Sequence, residues 1–366
     1  MPSDQKFQSN SLEHIIPIKF ETVQKVPDTH TWTPSGEYSV LRDVSDTEPV
    51  PIIDLEDQNV VSLIGRACET WGVFQVINHG ISMSLFKDVE TEIQRLFSLP
   101  SENKMKVLRS PGSMTGYGKH AISPFFMKSM WSEGFTVGDS PVEHARQLWP
   151  EDYMKFCDTI DEYRDKTNKL CNKLLWLILS SLGITKEVVE WAGATENNSL
   201  APLQLNSYPI CTDPDRAIGL AEHTDSSLFT VLNQVGYSGL EVIRDGLGRA
   251  KVPLVEGTLI INLGDMFDVL SNGRYKSIIH RVVVNQTHHR YSTAYFYFPP
   301  KDVKISPLMK LVDPAHPLMY RSVTGTEFLA IKGKHFRNGL SEIRISNEKN
   351  NSDIPNVNEN GEKKAG

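Results

Sequence analysis

The sequence has few cysteines and no pair of them at short spacing. Cys68, Cys157, Cys171 and Cys211 are scattered along the chain, and no Cys-x-x-Cys motif is present. This usage is typical of reduced thiols in a cytosol-like compartment rather than of a disulfide scaffold. We therefore expect a cytoplasmic protein without disulfide bonds.

Long apolar runs are also missing. The longest, Leu174–Leu182, is far too short to span a bilayer, and residues 1–20 mix charges with short apolar runs instead of forming the apolar core of a secretory signal. Glycine and proline, at 24 and 21 of 366 residues, are close to average usage, which excludes a fibrous or low-complexity protein. These absences predict a soluble protein with neither a membrane span nor a signal peptide.

An excess of positive charge is absent as well. The chain has 38 Lys and Arg against 45 Asp and Glu, a formal net charge of −7, which argues against binding to nucleic acid or to anionic membranes. The hydrophobic fraction of 39% excludes disorder of the chain as a whole. What remains is a globular protein, which we expect to be a monomer that acts on a small molecule.

The pattern of the chain changes near Ala201. Residues 49–195 are mainly helical in pattern with a few strands, whereas residues 196–345 contain closely spaced β-rich runs and a C-terminal helix. The runs are Leu203–Ser207, Ile218–Glu222, Leu228–Gln234, Gly239–Ile243, Ala250–Leu254, Thr258–Leu263, Lys276–Asn285 and Arg290–Phe298. Turn residues separate them, which predicts a double-sheet jelly roll or a barrel. We expect residues 1–48 to form an N-terminal arm and 346–366 a disordered tail.

The most informative residues are His223 and Asp225. In a strand they project from the same face, and His280 lies in a later predicted strand. Two imidazoles and one carboxylate can form a facial triad that leaves coordination positions open. However, His-x-Asp is a common tripeptide, His280 could be a hydrogen-bonded core histidine, and zinc accepts the same ligands.

A second signal is Arg290, which shares a strand face with Ser292, Ala294 and Phe296. An arginine in such a strand is costly to bury unless a carboxylate meets it. The partner is either an Asp or Glu of the chain or a dicarboxylate ligand whose other end chelates the metal. An amide and a phenol in Asn206-Ser207-Tyr208-Pro209 could complete the hydrogen bonds to such a ligand.

Together these residues resemble a known family. His223-x-Asp225, His280, Arg290-x-Ser292 and Asn206-x-Tyr208-Pro209, with Pro51–Leu55 and Trp71–Gly80 in the first half, resemble the Fe(II)- and 2-oxoglutarate-dependent dioxygenases of plants. The resemblance implies an α+β fold, a double-stranded β-helix (jelly roll) core with surrounding helices. It also implies Fe(II), 2-oxoglutarate as cosubstrate, and O₂. The implied iron ligands are His223, Asp225 and His280, and the implied cosubstrate contacts are Arg290, Ser292, Tyr208 and Asn206.

Within that family, several segments look like the gibberellin 3-beta-dioxygenases. They are 126–136, Leu148–Pro150, Leu203–Asn206, Gly219–Ser227 and Leu263–Gly273. This narrower resemblance implies hydroxylation of a gibberellin at the 3-beta position, with release of succinate and CO₂. Arg249 stands where we expect a tryptophan, and Phe298 where we expect a glycine. These departures leave open 2-oxidation, mixed 2,3-hydroxylation, or another plant small molecule.

A gibberellin is a compact apolar ring system with a carboxylate, so we expect a mostly apolar pocket with a cation. Candidate pocket residues are Phe126, Met130, Trp131, Phe135 and Phe298, with Lys128 or Arg244 for the carboxylate. Ordinary core packing explains the large apolar side chains equally well, and Lys128 could be a solvated surface charge. A jelly-roll binding protein or a zinc hydrolase remains the alternative from another class, and Arg290-x-Ser292 argues against it.

Overall fold

The structure, a computed structural model, describes residues 19–32, 49–110, 112–192, 201–244 and 248–345. The helices in these ranges are α1 (Val60–Thr70), α2 (Met83–Phe97), α3 (Ser101–Lys104), α4 (Val142–Leu148), α5 (Tyr153–Ser181), α6 (Asp265–Leu270) and α7 (Gly325–His335). The early strands are β1 (Ile52–Asp54), β2 (Val73–Ile77), β3 (Gly116–Gly118) and β4 (Glu133–Val137). The later strands are β5 (Leu203–Tyr208), β6 (Leu220–His223), β7 (Phe229–Val235), β8 (Leu240–Arg244), β9 (Gly248–Lys251), β10 (Leu259–Leu263), β11 (Ile279–Val282), β12 (Arg290–Tyr297), β13 (Lys304–Ile305) and β14 (Val323–Thr324).

Two sheets form the jelly roll. The major sheet has the order β1-β2-β10-β7-β12-β5-β4-β3, and the minor sheet has the order β6-β11-β8-β9. All pairings are antiparallel except that of β1 with β2. Each of the eight β-rich runs expected from the sequence overlaps one of these strands, β5 to β12, so the prediction of a double-sheet core is confirmed.

The major sheet extends beyond that core. Strands β1 to β4 come from the mainly helical half of the chain, yet they pair with the edges of the sheet formed by β5, β7, β10 and β12. Residues 49–195 and 196–345 therefore share one sheet. The sequence predicted β1 and β2 but not β3 or β4, because β3 reads Gly-Tyr-Gly and β4 has no regular alternation of apolar and polar residues.

Helix α5 lies against the outer face of the major sheet. Tyr163 on this helix is hydrogen-bonded to Thr293 of β12 at 2.9 Å between hydroxyl oxygens. The hydroxyls of Tyr295 and Tyr297, on the same face of β12, donate to Asn168 and Asn172 of α5. Because side chains alternate along a strand, the residues between these three point to the opposite, inner face, between the two sheets.

The four cysteines are buried and free, as the sequence predicted. Over the described residues, no helix has the length and apolar character needed to cross a membrane. The expected disordered tail lies outside the described residues, as does most of the expected N-terminal arm.

Candidate metal centre and anion site

Three predicted ligands meet at the inner face of the minor sheet. His280 of β11 lies directly opposite His223 at the end of β6, with ring centroids 4.2 Å apart. Asp225 follows two residues after His223, and its Oδ1 lies 3.6 Å from Nε2 of His223 and 3.8 Å from Nε2 of His280. One ligand atom from each residue lies within 4.8 Å of the others. Antiparallel pairing thus brings together residues far apart in the sequence.

The backbone orients both imidazoles. Nδ1 of His223 lies 2.8 Å from the Ala221 carbonyl oxygen, and Nδ1 of His280 lies 3.1 Å from that of Ile278. A carbonyl oxygen only accepts, so each Nδ1 carries the proton and each Nε2 lone pair faces the space beside Asp225. Burial, reinforced by the neighbouring His280, lowers the pKa of His223 and keeps that ring neutral. A neutral imidazole is the form that binds a metal ion.

The carboxylate is oriented by Thr230. The Thr230 hydroxyl donates to Oδ2 of Asp225 at 2.6 Å, which leaves Oδ1 facing the two imidazoles. Burial raises the pKa of Asp225, but the two imidazoles and the Thr230 hydroxyl outweigh it, so the pKa is lowered overall. Asp225 is therefore ionised, as a candidate metal ligand must be. Thr230 was not predicted from the sequence, because its role depends on the packing of β7 beside the segment that carries His223 and Asp225.

A buried cation lies on the same inner surface. Arg290, 2% exposed, donates from Nη2 to Oε1 of Gln234 at 3.2 Å and from Nη1 to the Ser292 hydroxyl at 3.4 Å. Its guanidinium lies 4.8 Å from the ring centroid of Tyr208, and its Nε has no hydrogen-bond partner. Within the described ranges no carboxylate forms an ion pair with Arg290. The sequence left open an Asp or Glu partner, and the structure does not supply one.

Strand register places the other predicted cosubstrate contacts beside Arg290. Tyr208 pairs with Arg290, and Asn206 pairs with Ser292, so all four side chains share the inner face of β5 and β12. The Asn206 amide donates to the Ser292 hydroxyl at 3.2 Å, and Tyr208 is 2% exposed. Burial raises the pKa of the Tyr208 phenol, so it stays protonated and can donate a hydrogen bond.

Two glycines provide space for this anion site. A Cβ at Gly219 would lie 2.7 Å from Cδ1 of Tyr208, and a Cβ at Gly239 would lie 3.0 Å from Cδ of Arg290. Any larger residue would force these side chains to move. Neither glycine could be recognised from the sequence, since each matters only for a side chain from another strand.

Strand β7 connects the metal ligands to the anion site. Thr230, which contacts Asp225, and Gln234, which contacts Arg290, lie on one face of β7 with Leu232 between them. Four residues of strand span about 13 Å. The two imidazoles and one carboxylate match the ligand set of non-haem Fe(II) oxygenases, and a buried arginine without a carboxylate partner suits the far carboxylate of 2-oxoglutarate. The residues present therefore fit both groups.

The apolar candidates divide into two groups. Met130 is buried in a small cluster with Trp32, Ile218 and Ala221, and Phe126 packs against that cluster. Ala221 shares the β6 face of His223, so this cluster adjoins the metal ligands. By contrast, the Trp131 ring packs on Phe20 and His30, holding the segment Phe20–His30 against the sheets.

Two candidates belong to the main hydrophobic core, and the strand register shows that one of them, Phe135, does not face the metal ligands. Phe135 pairs with Leu205, which faces α5, and its ring packs edge-on against His144 and Phe156 of α4 and α5. It therefore lies on the outer face of the major sheet, away from the metal ligands. Phe298, 5% exposed, belongs to the same main core. Ordinary core packing, the alternative left open by the sequence, accounts for both residues.

The three cations take different positions. Lys128 is exposed, and its ammonium donates to the Asp28 carbonyl oxygen. Arg244 lies two residues after Val242, which pairs with His280, so both face the inner side of β8. Its guanidinium lies 4.0 Å from the Trp71 ring centroid. Arg249 lies on the outer face, 3.6 Å from the Glu241 carboxylate. The Arg249 departure therefore does not face the metal ligands.

Comparison with known proteins agrees with this geometry. Residues 200–299 match the family model of the 2OG-Fe(II) oxygenase superfamily, and residues 50–153 match the model described as non-haem dioxygenase in morphine synthesis N-terminal. The chain is 49% identical to gibberellin 3-beta-dioxygenase 1 of Pisum sativum over 89% of each chain. It is 46% identical to gibberellin 3-beta-dioxygenase 1 of Arabidopsis thaliana over 90% of this chain and 93% of the relative.

Solved structures match along most of the chain. The crystal structure of JOX2 in complex with 2OG, Fe and JA superposes with a TM-score of 0.77 at 29% identity, over 90% of this chain and 98% of that one. The rice dioxygenase for auxin oxidation gives a TM-score of 0.66 at 26% identity, over 81% of this chain and 100% of that one.

Proposed function

Because the chain belongs to the 2-oxoglutarate- and Fe(II)-dependent oxygenase superfamily, we propose that it hydroxylates a gibberellin at the 3-beta position. The observation that carries this function is the cluster of His223, Asp225 and His280 on the same inner surface as a buried Arg290, which has no carboxylate partner in the described part of the chain. The sequence identity to gibberellin 3-beta-dioxygenases, 46–49% over most of the chain, supports a gibberellin as the substrate and its 3-beta position as the site of hydroxylation.

The cofactors supply the oxidising power. When Fe(II), 2-oxoglutarate and O₂ are bound, one oxygen atom of O₂ enters a substrate C–H bond to give an alcohol, and the other enters succinate as CO₂ leaves. His223 and His280 would supply imidazole nitrogens to the metal, and the ionised Asp225 would supply a carboxylate oxygen. A set of only three protein ligands would leave coordination positions for small molecules.

The anion site would orient the cosubstrate. Arg290 neutralises the far carboxylate, and the hydroxyls of Ser292 and Tyr208 add hydrogen bonds, while Asn206 fixes the Ser292 hydroxyl. All four residues are at most 4% exposed, so water competes poorly for the carboxylate. Holding one end of 2-oxoglutarate in this way fixes the orientation of its other end toward the metal ligands.

The substrate would lie against the apolar cluster of Met130, Ile218 and Ala221, with Phe126 at its edge. Arg244 is the better candidate for the gibberellin carboxylate, because it shares the inner face of β8 with the residue opposite His280. Lys128 is less suitable because it is exposed and bound to a backbone carbonyl. Trp131 contributes by holding the segment Phe20–His30, whose end adjoins Trp32 of the cluster.

Incubation with a panel of labelled gibberellins, Fe(II) and 2-oxoglutarate tests the function. We expect succinate in equal amount to a product that is one oxygen atom heavier, with the hydroxyl at the 3-beta position by mass spectrometry against standards. A hydroxyl at position 2 would assign the alternative regiospecificity. No succinate with any gibberellin, together with tight zinc binding, would overturn the dioxygenase function.

A further inference from the structure

A lysine from the C-terminal helix contacts the segment that carries two of the candidate metal ligands. Lys332 of α7 is 8% exposed, and its Nζ donates to both the carbonyl oxygen and the side-chain oxygen of Thr224, each at 2.7 Å. Thr224 is the residue between His223 and Asp225. The third donor of the same ammonium goes to the Asp265 carboxylate, in a very short ion pair.

Asp265 is itself bound to the ligand segment. Its backbone N–H donates to the Asp225 carbonyl oxygen at 2.8 Å, and its Oδ2 accepts from the Thr224 hydroxyl at 3.2 Å. A Cβ at the preceding residue, Gly264, would lie 2.2 Å from the Ser227 carbonyl oxygen. Only glycine therefore permits the turn after β10 to approach the ligand segment this closely.

These contacts fix Thr224 in two ways. Lys332 holds its carbonyl group, and Lys332 and Asp265 together hold its hydroxyl. The Thr224 peptide groups set the angle between the residues on either side, so they set how the His223 imidazole and the Asp225 carboxylate face each other. Burying the Lys332 ammonium costs desolvation free energy. Its hydrogen bonds to Thr224 and its ion pair with Asp265 offset that cost.

We propose that Lys332 is a positioning residue of the metal centre, holding Thr224 so that His223 and Asp225 face a common ion. This inference rests on the proposed metal site. Helix α7, which supplies none of the candidate ligands, is accordingly part of the centre. The start of α7, the helix that carries Lys332, is fixed by a capping hydrogen bond: the Thr324 side chain accepts from the Glu327 backbone N–H.

The test measures metal binding by the full-length protein without substrate. Co(II), which takes the same ligands as Fe(II) and absorbs visible light, is titrated into metal-free protein. K332M keeps the length and apolar stem of the side chain but removes the donors. K332M/D265N also removes the charge that K332M would leave buried, and its folding is checked by its thermal unfolding midpoint. K334M, on an exposed lysine of the same helix, is the matched control.

We expect K332M/D265N to raise the Kd for Co(II) by about 10- to 100-fold, as loss of outer-shell partners commonly does. We also expect a changed Co(II) absorption spectrum at saturation, while K334M matches the wild type. A purely structural role would lower the thermal unfolding midpoint without moving either readout. A Kd within twofold of wild type and an unchanged spectrum would overturn the inference. Wild-type protein that binds no Co(II) would instead overturn the metal site itself.

Discussion

The hydroxyl of Thr230 donates to Oδ2 of Asp225 at 2.6 Å, so that one carboxylate oxygen is occupied and the other faces the imidazoles. Replacing Thr230 with valine keeps the shape but removes the donor. We expect the Kd for Fe(II) or Co(II) to rise about 10-fold or more, because the freed carboxylate can rotate away from the metal. An anaerobic titration with a competing chelator measures this change.

T293V is the matched control for T230V. It removes the hydrogen bond to Tyr163 on the outer face of the major sheet, at a cost of about 1 kcal/mol in the free energy of unfolding. Metal affinity should stay at the wild-type value. Equal losses of affinity in both variants would contradict a specific role for Thr230.

Arg290→Lys tests the anion site. A lysine keeps the positive charge but loses the planar pair of donors, so the KM for 2-oxoglutarate should rise about 10- to 100-fold, in line with ~1.5–3 kcal/mol for charge-assisted hydrogen bonds. Initial-rate kinetics at saturating gibberellin measure it. R281K is the control, since Arg281 pairs with Glu222 and Glu241 on the outer face of the minor sheet. An unchanged KM in R290K would exclude Arg290 as the anchor.

Gly219→Ala tests the space required by Tyr208. The added methyl group would lie 2.7 Å from the Tyr208 ring and 3.1 Å from the Val282 carbonyl oxygen, so the ring must shift. We expect the KM for 2-oxoglutarate to rise about fivefold, corresponding to loss of one hydrogen bond of ~1 kcal/mol. In the Y208F background the same change should add little. G333A, in open space on α7, should leave the KM unaltered.

Arg244→Met tests the proposed contact with the substrate carboxylate. The KM for the gibberellin should rise about tenfold, the effect of losing one charge-assisted hydrogen bond of ~1.5 kcal/mol. Succinate release without substrate should be unaffected, because Arg244 lies over the Trp71 ring on β8 of the minor sheet, whereas Arg290 belongs to β12 of the major sheet. R249M, on the outer face of the neighbouring strand, provides the comparison. A similar rise in R249M would point to a general disturbance of the minor sheet.

His120 makes stability depend on pH. Burial, with a further effect of Arg109, lowers the pKa of His120 to about 3, while in the unfolded chain it titrates near its ordinary value of 6.5. Between these values the unfolded chain binds the extra proton, so the free energy of unfolding falls as the pH falls. His120 alone should account for about 1.6 kcal/mol of the loss between pH 6.5 and pH 5.

H120Q checks this contribution by urea unfolding of the metal-free protein at the two pH values. The variant should be less stable near neutral pH, because His120 is hydrogen-bonded to the Ser132 hydroxyl at 3.0 Å, but its stability should change less with pH. A difference between the two pH values as large as that of the wild type would show that His120 does not titrate as its burial requires.

Sequence reasoning worked best where the signal is local. The strands β5 to β12 alternate or run apolar between turn residues, and His223-x-Asp225 and Arg290-x-Ser292 each lie within one strand or its end. The assignment of these residues to iron and 2-oxoglutarate stays a prediction that the variants above test. The structure adds the register that places His280 against His223 and Tyr208 against Arg290.

Contacts between distant segments could not be predicted in this way. The roles of Thr230, Gly219 and Lys332 depend on contacts that no sequence motif specifies: Thr230 with the Asp225 carboxylate, Gly219 with Tyr208, and Lys332 with Thr224. Phe135 shows the opposite error. Phe135 lies in a segment that resembles the gibberellin 3-beta-dioxygenases, so it was expected to line the pocket. Which face of the sheet is the outer one depends on the helix that covers it, and Phe135 points toward that helix, α5.

The bridge from Lys332 to Thr224 joins residues that are 108 positions apart. At about 5–20 residues per second, a ribosome needs some 5–20 s after making Thr224 before it reaches Lys332. During that time the nascent chain already contains His223 and Asp225 but not the ammonium that holds the residue between them. If Lys332 holds Thr224 as proposed, the metal centre reaches its full affinity only after α7 has been translated.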